Sequence, residues 1–246
     1  MLLLEFKSFL FDGLLNTLLL SLVMIVGGTL FAVIFAAGLS MPSRWLNRPV
    51  FLIVECLRDI PLMVTVLLVY FVLPNVGISL DPFWSSALSV SVWGGANGAH
   101  IIRAGLASVS KGQWETVQAF GLGGWKGLLL VIVPQAMPVI LPPYISLVTG
   151  LVQASSLGAV LGVNELLRSA QVLIEQTTIS RGGSPAYLIY GTILVVYFVM
   201  CWTIALVGRR LEAHFAKPYR RDRQSINRRN DSSDVLVPTA PLDVRT

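Results

Sequence analysis

Apolar residues in this chain come in long runs, and polar residues gather at the joints between them. The runs predict five helices, at about 14–39, 50–73, 83–109, 137–163 and 187–207. At 1.5 Å per residue each is long enough to cross an apolar layer of about 30 Å. Asn16 or Thr17 offers the first helix a start and Pro42 an end, and Pro74 stops the second. The fourth is expected to be irregular, because it holds Pro138, Pro142 and Pro143. The expectation is an all-α, polytopic membrane protein. Segment 1–12 leads into one transmembrane unit over 13–212, and 213–246 form a tail.

Composition sharpens this. The 246 residues are 54% hydrophobic and 13% charged, against about 25% charged in a soluble domain. The net charge of +5 does not read as a nucleic-acid surface. Nine of the 18 Lys and Arg lie from Arg209 onward, and most of the others flank apolar runs. Such bases report topology. Arg44 and Arg48 mark the first connection as cytoplasmic, Lys111 and Lys126 the third, and Arg209, Arg210, Lys217, Arg220 and Arg221 the tail. The N-terminus is then outside and the C-terminus inside. The cluster from Arg209 to Arg223 is expected to rest on anionic lipid headgroups, and the polar stretch from about Asp222 to be disordered. Cys56 and Cys201 fall within apolar runs, so no disulfide is expected, and Met1–Asp12 shows no signal-peptide cleavage site.

One segment breaks the membrane pattern. Residues 110–136 are too polar for lipid and too patterned for a linker. Trp114, Val117 and Leu122 recur at helical spacing, so a short helix is expected to bury them on one side. Glu115 and Gln118 would face elsewhere. Gly121 permits a sharp turn, and a second short helix would run from Trp125 to Pro134.

Here the sequence resembles the membrane subunits of bacterial ABC importers, of the polar amino-acid uptake type. Their loop carries Glu-Ala-Ala, a glycine four residues later and then hydrophobic-x-Leu-Pro. This chain has Glu115-Thr116-Val117, Gly121 and Val131-Ile132-Val133-Pro134, preceded by Lys111-Gly112-Gln113-Trp114. Asn16-Thr17-Leu18, Glu55 with Arg58-Asp59-Ile60-Pro61-Leu62, Ser155-Ser156-Leu157 and Gly162-Val163 with Glu165-Leu166 are also similar to family motifs, in the same order.

The resemblance implies a type I importer membrane domain in the inner membrane. It also implies that Gln113, Trp114, Glu115, Thr116, Val117, Gly121 and Pro134 form a coupling loop gripped by a cytoplasmic ATPase. A periplasmic or lipid-anchored binding protein would deliver the solute, and a second permease subunit, identical or paralogous, would complete the pore. ATP and Mg would bind the ATPase. This chain has no Gly-x-x-x-x-Gly-Lys-Ser/Thr loop, and no cofactor is expected on it. Thr116 and Val117 stand where the family has alanines, making the loop surface bulkier.

Polar residues inside the apolar runs complete the reading. Glu55, Arg58 and Asp59 share a helical face, and intramembrane charge is costly enough to face protein or water. Glu55 and Arg58 are read as a structural ion pair, while structure and transport both stay open for Asp59. The family has glutamate where this chain has His100 and glycine where it has Asp59. One expectation is that Asp59 restores a carboxylate beside His100. Thr65, Gln153, Ser155 and Ser156 are expected along the solute path with Asp59 and His100. Gly94, Gly95 and Gly98 are expected to permit close helix packing. With His100 and His214 the only histidines, neither a histidine metal site nor a catalytic dyad is expected. Glu165 and Glu175 are read as external-loop residues without a positioned partner. A passive channel, a membrane anchor and an intramembrane enzyme are the alternatives.

Overall fold

The structure is a computed structural model that describes residues 7–41 and 43–234; the expected stop at Pro42 lies outside them. The elements are α1 (Lys7–Leu39), α2 (Arg44–Asp59), α3 (Leu62–Val72), α4 (Pro82–Ala107), α5 (Lys111–Ala119), α6 (Val133–Ala154), α7 (Leu166–Arg181) and α8 (Ala186–Asp234). Among the described residues the regular structure is entirely helical.

In α1 the buried residues include Gly13, Thr17, Leu20, Met24, Gly28, Ala32 and Ala36, three or four apart. Leu15, Leu18, Leu22, Val26, Leu30 and Val33 stay exposed. The inner face is thus marked by small size rather than greasiness, as expected where lipid is as apolar as leucine. The matching face on α4 is built from Ser85, Ser89, Gly94, Gly95, Gly98 and Ala99. A Cβ on Gly95 would overlap Phe31, and one on Gly98 would come within 2.7 Å of Ala32. These glycines permit close packing, as their spacing suggests.

The register fixes directions. Moving along α4, Ser91 lies against Gly27, Gly95 against Phe31 and Gly98 against Ala32, so α1 and α4 run parallel. Gly94 meets Leu151 and Gly105 meets Ile140, so α6 runs back. Cys201 of α8 meets Gln153 of α6 and Gly208 meets Ile145, so α8 turns again. The start of α1 and the apolar end of α8 therefore lie at opposite ends of the bundle.

Lys7–Leu39, Trp125–Leu161 and Ala186–Phe215 are long and apolar enough to span a membrane. The α2–α3 pair makes a fourth only as a bent unit. The expected single helix over 50–73 is in fact broken by 105°. Ile60 (ψ 129°) and Pro61 (ψ 128°) are both extended. Proline disfavours helical ψ in the residue before it and has no N–H to donate. Hydropathy does not register this, because the apolar run continues through the break.

Three other expectations change. A turn at Trp125–Gly127 and a π-helical stretch, Leu128–Ile132, lead straight through Pro134 into α6. The wide turns absorb the proline, so the second short helix does not end there. The connection before α8 holds the 16-residue helix α7. Its Leu166, Ala170 and Leu173 pack on Ile189 and Ile193. The tail stays helical to Asp234 where disorder was expected from Asp222. Elongating an existing helix needs no new nucleus, and Arg and Gln are good helix formers.

Candidate functional site

At one end of the bundle the connection from α4 to α6 forms a compact loop. In α5, Val117 is buried and Trp114 half-buried, packed with Val109, Ile132, Ala136 and Ile140. Gln113, Glu115, Thr116 and Gln118 face outward. Gln135 Nε2 donates to Gln113 Oε1 at 3.1 Å, tying α5 to the start of α6. Lys111 and Glu115 approach to 3.7 Å across one turn, both largely exposed.

The chain then reverses. Leu122 N–H donates to Val117 O, and Gly121 and Gly124 both adopt φ of 70°, a left-handed value that side chains with a Cβ tolerate poorly. A Cβ on Gly127 would collide with Leu122 O and Val117 Cγ1. The tip presents Phe120 at 77% exposure and Trp125 at 67%. Leu122, expected to be buried with Trp114, is exposed because the reversal at Gly121 takes it off the α5 face. Exposed apolar residues on the spanning helices face lipid and need no other partner. At this tip, outside the spanning helices, they stand exposed among Lys111, Glu115 and Gln118. Phe120, Gly124, Trp125 and Gly127 were missed from sequence; the run Gly121-Leu122-Gly123-Gly124-Trp125 was their signal.

Midway along the bundle, Glu55 bridges two helices. Its Oε2 accepts from Arg58 Nη1 at 3.0 Å, and its Oε1 lies 3.0 Å from His100 Nε2 of α4. That second contact does not meet hydrogen-bond geometry, so His100 Nε2 has no hydrogen-bond partner among the described residues. Arg58 Nε reaches Asn97 Oδ1 at 3.5 Å. The Glu55–Arg58 pair is present, but Asp59 is exposed and Glu55 is the carboxylate beside His100. The cause is helical phase: α2 turns Val54 and Leu57 toward α4, carrying Glu55 and Arg58 with them.

At the opposite end lies a cluster that sequence reading left unassembled. Glu165 is fully buried at the N-cap of α7. Its Oε1 accepts from Arg168 N–H at 2.7 Å and its Oε2 from Leu167 N–H at 2.9 Å. Tyr197 Oη of α8 donates to Oε2 at 3.0 Å. Thr17 of α1 sits 3.5 Å from the same oxygen and accepts from Leu166 N–H at 2.9 Å. Asn16 Nδ2 donates to Asn164 O at 2.9 Å. Two motifs 148 residues apart are therefore one network. Burial pushes the Glu165 carboxyl above the ordinary 4.5, while the N–H groups of Leu167 and Arg168 draw it back down.

The remaining expected path residues do not converge. Thr65 and Ser155 are buried, bonded to Pro61 O and Val152 O of their own segments. Gln153 is exposed, its Nε2 3.8 Å from Cys201 Sγ, and Ser156 donates to Gln153 O.

Residues 28–220 match the family described as the binding-protein-dependent transport system inner membrane component. The chain belongs to this family. A probable glutamine ABC transporter permease of Bacillus subtilis (strain 168) is 30% identical over 208 residues, covering 85% of this chain and 94% of that protein. An L-cystine transport system permease of the same organism is 32% identical over 217 residues, covering 87% and 91%. Among solved structures, an amino acid ABC transporter with histidines superposes with TM-score 0.75 at 25% identity, over 86% of this chain and 96% of that one. The inward-facing MetNI methionine transporter reaches 0.69 at 20% identity and supports the fold alone. This chain is thus a multi-pass permease subunit of the ABC-importer type, with the type I membrane-domain fold. The match includes the whole loop and the Glu55 cluster; it starts after Asn16 and Thr17.

Proposed function

We propose that this permease carries a polar amino acid, or a close derivative, across the inner membrane by alternating access. In this reading it is one of two permease subunits, driven by a cytoplasmic ATPase that binds ATP and Mg and supplied by a separate solute-binding protein. The observation that carries the reading is the exposed aromatic tip of Phe120 and Trp125 on a glycine-locked loop. An ATPase cleft would cover that tip, and closure of the cleft would push through α5 onto Trp114, Val117 and α6. The bases at Arg44, Arg48, Lys111 and Lys126 favour the cytoplasmic side for this end.

The amino-acid class rests on the named substrates of the relatives. The solute path is proposed to pass the polar groups left accessible within the spans: Asp59 and His100 beside Glu55 and Arg58, and Gln153 with Ser156. Thr65 and Ser155 would border it from behind.

The test is uptake by proteoliposomes holding the permease, its ATPase and its binding protein. Glu115→Ala or Gly121→Val should leave ATP hydrolysis running while solute uptake falls. Uptake that persists at full rate without any ATPase would contradict the reading.

A further inference from the structure

The elbow between α1 and α2 has chemistry that the transport reading does not use. Helix α2 opens on Ser43, which makes no side-chain cap bond, and its first turn holds no acidic residue. Arg44 stands in that turn, a cation at the positive end of a helix dipole. Arg48 lies one turn on, on the same face. Among the described residues, the ion pairs involve neither arginine. Both arginines, with Met41 and Asn47, line a cavity of about 300 Å³. Asn47 is a fixed wall, because its Nδ2 donates to Leu39 O at 2.5 Å and closes the end of α1.

The exposed residues that accompany these arginines along α2 are apolar. Trp45 is 92% exposed, and Leu46, Phe51, Leu52 and Ile53 continue the exposed surface along α2. Two arginines lining one concavity beside a helix N-terminus, with no ion pair among the described residues, suit a phosphate group. An indole and aliphatic side chains beside them suit the glycerol and acyl region. A soluble anion would use only the first feature; a phospholipid uses both.

We propose that this elbow binds the phosphodiester headgroup of an anionic phospholipid, with Arg44 and Arg48 as its ligands and Trp45 against its glycerol backbone. The site sits just beyond the end of a spanning helix, where headgroups lie, and basic recesses there attract anionic lipid.

The experiment is native mass spectrometry of the purified full chain, with whatever subunits accompany it. Phosphatidylglycerol, phosphatidylcholine and inorganic phosphate are added in separate arms. Phosphatidylglycerol should be retained at least about tenfold better than phosphatidylcholine, at about one charge-pair's worth per arginine. Arg44→Gln with Arg48→Gln should remove about nine-tenths of that retention, and Arg48→Gln alone about two-thirds. Lys126→Gln, a charge lost from the neighbouring loop, should change retention less than about twofold. Equal retention of both lipids would overturn the proposal, as would undiminished phosphatidylglycerol retention in the double variant. Displacement of the lipid by millimolar inorganic phosphate would mark a soluble-anion site and would also overturn it.

Discussion

The two ends of the bundle are built on opposite plans. At the Glu165 end, donors and acceptors from α1, α7 and α8 are matched inside a buried knot. At the loop end, side chains that would normally be covered are left in the open, on a backbone held by glycines at φ 70°. The first plan fixes helices to one another. The second leaves an apolar tip uncovered. In the proposed mechanism that tip is gripped, and the knot gives the push its fulcrum.

The comparison is broken most severely at Gly127. Leucine there has no room between Leu122 O and Val117 Cγ1, an overpacking cost of about 3 kcal/mol. Gly127→Leu should reduce uptake below about a tenth, with the loop misfolded rather than merely ungripped. Limited proteolysis between Lys111 and Lys126 would reveal this, and a resistant, wild-type-like loop would contradict it.

The knot comes next. Glu165→Ala strands two backbone N–H groups and the Tyr197 hydroxyl, a loss of about 3 kcal/mol. Thermal unfolding in detergent should show it, and Glu165→Gln should cost less because one carbonyl oxygen remains. The pH dependence has a definite sign. A carboxyl raised by burial contributes stability that is full below the ordinary 4.5 and is lost as pH rises through the folded value. The wild type should therefore lose stability over that interval relative to Glu165→Gln. The opposite slope would mean that the bonds to the carboxylate outweigh its burial.

Truncating the tip should separate gripping from folding. Phe120→Ala and Trp125→Ala change exposed side chains, so stability should move by no more than about 0.5 kcal/mol. Uptake should fall several-fold all the same. If stability and uptake fall together, the tip belongs to the fold and not to a docking surface.

The smallest effect concerns His100. A double-mutant cycle between Glu55 and His100 should show coupling of about 1 kcal/mol in stability, and the cycle between Asp59 and His100 should be additive. Coupling at Asp59 alone would reverse the assignment made from the geometry.

What the sequence revealed follows from range. The all-helical, multi-pass character was legible because apolar length is a local property, and the loop because Gln113, Glu115 and Gly121 interrupt it. The knot was not, since Glu165 meets Thr17 and Tyr197 at separations of 148 and 32 residues. Helix α7 was legible in principle from Leu166, Ala170, Leu173 and Thr177, spaced at three and four, but the run is too short and too polar to count among the apolar spans. The break at Pro61 was written in the residue itself and masked by the hydropathy around it.

The most direct measurement is site-directed cross-linking in a chain carrying Cys56→Ser and Cys201→Ser, with the partner ATPase present. Phe120→Cys, at the open end, should link to the ATPase. Ile78→Cys, also exposed but at the knotted end, should not. A link at position 78, or none at 120 in a complex that still transports, would show that the motor does not hold this loop.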